Sequence, residues 1–203
     1  MKLTTQDAEL YARAMRRVSP LSDDDIRAGL ALARVRELGR GEHLLRGGDA
    51  ARDVAVVVPG LWREHFLLAD GSERTKAFVL EGELSGSLAD LLSDSPARAY
   101  IVAEEPSRLL VVDFTESTAL AAKNPAWGQL RARATEALLR VKAEREYELL
   151  GLDAEARYGA FRRRYPGLEA RVAAKHVASY LGITPVHLSR LRRRRRGKPD
   201  SAG

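Results

Sequence analysis

The chain has 203 residues, 45% of them hydrophobic and 31% charged, a balance that suits a folded protein and argues against an unstructured one. It contains no cysteine, which removes disulfides, thiolate zinc sites, iron–sulfur clusters and cysteine nucleophiles together. The net charge of +6 is unevenly spread. Residues 151–203 hold 13 Lys and Arg against 4 Asp and Glu, whereas residues 1–150 hold 21 against 24, so a polyanionic partner is expected for the C-terminal part alone.

Residues 1–33 read as helical. Ser22 is a plausible N-cap, with Asp23, Asp24 and Asp25 in the first turn, where the helix dipole favours acid, and with Ile26, Leu30 and Leu32 following. From Val35 to about Asp113 the pattern changes to short runs rich in Val, Leu and Phe, separated by turn formers at 39–41, 47–48, 59–60 and 70–71. Asp70 and Gly71 tolerate the positive φ of a tight hairpin and join the runs 62–68 and 73–80. Later runs at 100–103 and 109–114 bring the total to seven or eight strands, which predicts an antiparallel barrel or jelly roll. Residues 86–93 (GSLADLLS) read as a short helix set inside it.

Asn124 and Pro125 have the cap and first-turn chemistry of a long helix running to about Leu150. Its apolar stripe is Trp127, Leu130, Ala134, Ala137, Leu138 and Val141, which serves either to pack on the β region or to pair with a second copy. Gly151 ends it, and the remainder is helical with a break at Pro166 and Gly167.

Residues 173–194 (AAKHVASYLGITPVHLSRLRRR) carry the strongest signal. Val177, Ala178, Leu181, Ile183, Leu188 and Leu191 fall where two short, steeply crossing helices need apolar or small side chains. Gly182 falls where the turn needs a left-handed backbone, which costs other residues about 1 kcal/mol or more. Thr184 can cap the second helix and Pro185 fits its first position. This is the pattern of a helix-turn-helix, whose second helix enters a major groove. Val186, His187, Ser189, Arg190 and Arg193 then point outward, with Arg190 suited to bidentate bonding with guanine. Thr184 stands at the start of the same surface. Lys175 and the basic run from Arg192 through Arg193 and Arg194 to Arg196 suit phosphate.

The order of helical N-terminus, β-roll with EGELSGSLADLL, long helix and ARYGAFRRRYPGLEARVAAKHVASYLGITPVHLSRLRR resembles the Crp/Fnr superfamily over about residues 20–196. The resemblance implies an α+β fold: an N-terminal antiparallel, jelly-roll-like β-roll with flanking helices over 1–120, a dimerisation helix over 121–150, and a helical, winged helix-turn-helix domain with a basic tail over 151–203. It further implies a cytoplasmic homodimer on a palindromic double-stranded DNA site, a small-molecule effector in each roll, and RNA polymerase as a further partner. No cofactor, metal or membrane is implied.

In the cyclic-nucleotide-binding members a glycine–glutamate–leucine segment and an arginine before the next strand hold the ligand. Gly82, Glu83 and Leu84, followed by Ser85, match the first part. Ala97 stands where the arginine belongs, and Arg98 comes one place later, which in a strand turns a side chain to the other face. A cyclic nucleotide is therefore not expected, and another small ligand or no effector stays open.

Catalysis is not expected either. His43, His65, His176 and His187 show no metal-ligand spacing, and Ser85, Ser87 and Ser93 have no paired base nearby in sequence. The alternative to DNA reading is a ligand-sensing or protein-interaction module with a β-roll and no specific DNA binding.

Overall fold

Two capped helices open the chain. In α1 (Thr5–Val18) the Thr4 hydroxyl accepts from the amide of Asp7, and the Asp7 carboxylate accepts in return from that of Thr4. Ser22 and Asp25 repeat this capping box at α2 (Asp23–Leu32), as the Ser-Asp-Asp-Asp run predicts. The computed structural model describes residues 2–93 and 95–196.

Eight strands follow: β1 (Arg34–Leu38), β2 (His43–Leu45), β3 (Asp53–Val57), β4 (Trp62–Leu67), β5 (Glu73–Val79), β6 (Leu84–Ser85), β7 (Ala99–Ala103) and β8 (Ser107–Asp113), with the short helix α3 (Leu88–Ser93) after β6. They form two antiparallel four-stranded sheets, in the orders β1-β8-β3-β6 and β2-β7-β4-β5. The β4–β5 hairpin turns where expected, with Gly71 at φ +77°. Helices α4 (Phe114–Lys123), α5 (Pro125–Gly151), α6 (Ala154–Arg164), α7 (Ala174–Leu181) and α8 (Pro185–Arg196) complete the chain. No separate α4 was expected from the sequence, and residue 120, the expected domain edge, falls inside it. Among the described residues of 151–196 there is no strand, so that part is purely helical and shows no wing.

The period-2 alternation of the strands sorts their side chains into layers. Leu38, Ala55, Val57, Leu109 and Val111 of the first sheet meet Trp62, Val79, Ile101 and Ala103 of the second, filling the roll. The outer face of the first sheet, through Val56 and Leu110, packs on Tyr11, Met15, Ile26, Trp127 and Leu130 of the helices. Gly29 makes this possible, because a Cβ there would lie 2.2 Å from the Trp127 ring. Trp127 Nε1 also donates to the Asp25 carbonyl at 3.0 Å.

The outer face of the second sheet is covered by the C-terminal helices. Leu61 and Phe78 join Tyr158, Phe161, Tyr165, Leu168, Tyr180, Leu181, Leu188 and Leu191 in one core. Phe78, Phe161, Tyr165 and Tyr180 have ring centroids 5.5–6.2 Å apart, edge-on or tilted, an arrangement that adds to plain burial. The helix-turn-helix segment is therefore the outermost layer of a stack, continuous with the roll.

Candidate nucleic-acid interface

The turn between α7 and α8 forms as its residues dictate. Gly182 adopts φ +67° and closes α7, and the Thr184 hydroxyl accepts from the His187 amide at 3.2 Å to start α8. Val177, Ala178, Leu181 and Leu188 are at most 1% exposed and Leu191 is 4% exposed. With that stripe turned inward, Val186, Ser189, Arg190 and Arg193 lie along the opposite face at i, i+3, i+4 and i+7, flanked by Thr184, His187 and Arg194. All are exposed. Lys175 is exposed at the start of α7. One basic residue departs from expectation. Arg192 is turned aside, with Nε 2.8 Å from Glu169 Oε1, so its charge is already paired. The side chains of Arg195 and Arg196 and the rest of the basic tail lie outside the described residues.

The surface opposite α8 is tied to the roll by polar contacts that the sequence did not announce. The Ser179 hydroxyl donates to the Glu73 carbonyl and accepts from the Thr75 amide, both at 2.9 Å, so α7 completes the edge of β5. Arg171 pairs with Glu81 at 2.6 Å and with Glu105. Arg63, 4% exposed, bonds Glu104 at 2.6 Å and Glu73 at 2.7 Å, and His176 Nδ1 of α7 lies 2.9 Å from the same Glu104. Burial raises the Glu104 carboxyl, but the His176 and Arg63 contacts outweigh it and leave the pKa below its ordinary value. From α5, the Arg145 guanidinium lies 3.9 Å from the centre of the Tyr180 ring and bonds that residue's carbonyl. The only advance sign was the Arg-Glu-His run inside β4, three polar residues in succession where an alternating strand should have at most every second one polar.

His65 belongs to this buried face, stacked on Tyr100 at 5.2 Å. Burial and then the Arg63 guanidinium pull its pKa down to about 4. An unfolded chain takes up that proton near pH 6.5. Between these values the unfolded state binds more protons, so stability must fall as the pH falls. The expected loss from pH 7 to pH 5 is about 2 kcal/mol, read from urea melts, and His65→Asn should flatten that slope. A slope identical in the variant would show that the imidazole is not the cause.

The residues expected to form an effector pocket do not converge. Gly82 gives its carbonyl to Arg17, the Glu83 carboxylate turns back to the Leu80 amide at 2.9 Å, and Leu84 is 42% exposed. Ser85 is buried beside Glu64, and the Arg98 guanidinium bonds Asp90 at 2.8 Å. The chain turns into α3 at Gly86, at φ +152°.

Of the expected pairing stripe on α5, the first two residues are taken up by the chain's own core. Trp127 and Leu130 are 6% and 7% exposed, inside the chain's own core. Ala134 and Leu138 are half-buried, and Ala137 and Val141 are exposed. The large apolar side chains most open on this helix are Leu139, at 68%, and Leu150, at 81%. With Ala132 and Ala143, both exposed, they make a seam at i, i+7, i+11 and i+18.

Comparison with known proteins fits this geometry. Residues 35–124 match the family model described as a cyclic nucleotide-binding domain. FixK2 from Bradyrhizobium japonicum is 23% identical, with a TM-score of 0.70 over 84% of this chain and 89% of that one. A CooA mutant from Carboxydothermus hydrogenoformans is 20% identical, with a TM-score of 0.66 over 82% of this chain and 78% of the other. The regulator CLP of Xanthomonas campestris is 16% identical, with a TM-score of 0.66 over 84% and 90%. The chain shares the fold of these proteins over most of its length. No curated protein matches the sequence.

The roll, the long helix and the C-terminal helices are α+β elements in the order that the sequence resemblance implied. No helix among the described residues is long and apolar enough to cross a membrane. Among the same residues there is no cluster of His, Asp and Glu able to hold a metal.

Proposed function

We propose that the chain is a Crp/Fnr-type transcription regulator that reads a palindromic DNA site as a homodimer. The observation that carries this reading is the division of α8. Its apolar side chains, Leu188 and Leu191, are spent on the core, while a polar and basic face with no structural partner looks outward. A helix held so firmly and left so open on one side has the geometry that a major groove accepts. Arg190 is the residue for base readout, assisted by His187 and Ser189, with Val186 suited to a thymine methyl. Lys175, Arg193 and Arg194 neutralise phosphate and position the protein. CLP, a c-di-GMP responsive global regulator that links cell–cell signalling to virulence gene expression, supports the same role for this fold.

Two copies pair along the Ala132, Leu139, Ala143 and Leu150 seam, so the two α8 helices address half-sites about 34 Å apart. The protein is not an enzyme in this reading and works in the cytoplasm, with RNA polymerase as a further partner.

Selection of bound sequences from random DNA, followed by anisotropy titration, tests it. Arg190→Ala should weaken binding by about 1–3 kcal/mol and relax preference at one symmetric base position. Arg193→Ala should weaken all sequences alike and lower the salt dependence by about one counterion. No consensus from selection, or no effect of either change, overturns the reading.

A further inference from the structure

Asp90 lies on α3 and is 2% exposed, an unusual place for a carboxylate. It is fully provided for. Its Oδ2 accepts from the Ser87 hydroxyl at 2.6 Å and from the Arg98 backbone amide at 3.1 Å, and its Oδ1 accepts from Arg98 Nε at 2.8 Å. Burial alone would push the carboxyl up. The three donors outweigh that penalty and hold it below the usual carboxylate range, so the group is an anion at neutral pH.

A hydroxyl, a backbone amide and a guanidinium converging on one buried oxygen pair is a set of donors equally suited to a phosphate. This set lies inside the segment that matches the cyclic nucleotide-binding domain. Ala97, where the phosphate-pairing arginine is expected, is 3% exposed and offers no charge. Next to Asp90, the other buried charges are also matched internally. Glu64 bonds Lys76 at 2.7 Å. A second anion taking the Ser87 hydroxyl, the Arg98 amide and Arg98 Nε would have to displace Asp90 from them and leave a buried carboxylate unpaired, at a cost of several kcal/mol; the outer end of the Arg98 guanidinium is open to solvent.

We propose that Asp90 is the roll's built-in anion. It occupies the donors that an external phosphate would need, so the roll keeps its arrangement against α5 without a phosphate-bearing effector. This deepens the regulator reading and rests on it only where DNA binding is measured.

The test uses the full chain with sodium phosphate, sodium acetate and cyclic AMP and GMP as probes. The unaltered protein should show no change in Tm or in DNA affinity with millimolar cyclic nucleotide. Asp90→Ala removes the carboxylate and leaves three donors facing a gap, and should lower Tm by about 4–8 °C. Acetate or phosphate at about 20 mM should restore at least half of that loss, whereas sodium chloride at equal ionic strength should not. If the alanine variant does not fold, Asp90→Ser, which is small enough to leave room for an anion and keeps an oxygen for the Arg98 amide, is read in the same way. A rise in Tm of the unaltered protein with either cyclic nucleotide overturns the proposal. So does a variant that acetate and phosphate rescue no better than chloride. If the unaltered protein shows no sequence preference in DNA, the regulator reading fails, while the melting arms still judge Asp90.

Discussion

Phe78→Ala is expected to cost roughly 3–5 kcal/mol, the upper range for emptying a buried aromatic site. Phe78 is 2% exposed and touches three other rings, all contributed by α6, α7 and the turn between them. Truncating it therefore opens a cavity between the roll and the helix-turn-helix, not within either. Both should be weakened by one substitution. The measurement is urea unfolding followed in parallel by tryptophan fluorescence and by helical circular dichroism. Trp62 and Trp127 report on the roll, since both are packed in its layers. Joint movement of the two transitions to lower urea is the expected outcome. A shifted helical signal with an unchanged fluorescence transition would mean that the two parts do not share a core. DNA affinity should fall as well, because α8 takes its orientation from Leu188 and Leu191 in that core.

Leu139→Glu should have the second large effect, and its readout is association rather than folding. Leu139 is 68% exposed in the single chain, so replacing it costs the monomer little. In a two-fold dimer the change appears twice, removes two apolar contacts and places like charges face to face. Taking about 1.5–3 kcal/mol for each lost leucine, the dimer constant should weaken at least about 100-fold. Sedimentation equilibrium measures it, and the monomeric melting temperature serves as the control. Leu130→Glu, by contrast, should unfold the chain. Equal association of the unaltered and Leu139→Glu proteins would refute the seam.

The difference between those two leucines shows where sequence reasoning runs out. Trp127, Leu130, Ala134, Leu138 and Val141 do form an apolar stripe at helical spacing, and the periodicity is real. What periodicity cannot tell is which neighbour the stripe faces. Here its first turns face the chain's own sheet through Gly29, and the seam proposed for pairing lies on a different side with sparser apolar residues. The same limit applies to Gly82, Glu83 and Leu84, a triplet matched by letter, of which Gly82 and Glu83 are engaged in the fold with Arg17 and Leu80.

Local rules fared better because their causes are local. Ser22 and Asp25, Asp70 and Gly71, Asn124 and Pro125, and Gly182 with Thr184 each satisfy the backbone within three or four residues, and each stands where its chemistry requires. The short helix near 86–93 was legible from composition, and α3 occupies its last six positions. The contacts between Ser179 and β5, 104 residues apart in sequence, left no such local trace.

The stacking order of the layers has a practical consequence for dissecting the protein. A fragment cut after α5 would carry a complete roll, yet it would bare Leu61 and Phe78, which are 0% and 2% exposed in the whole chain, on an open sheet surface. Such an apolar face invites self-association, and the fragment should precipitate or oligomerise where the intact chain does not. Isolating the roll with its N-terminal helices would thus require polar replacements at those two positions.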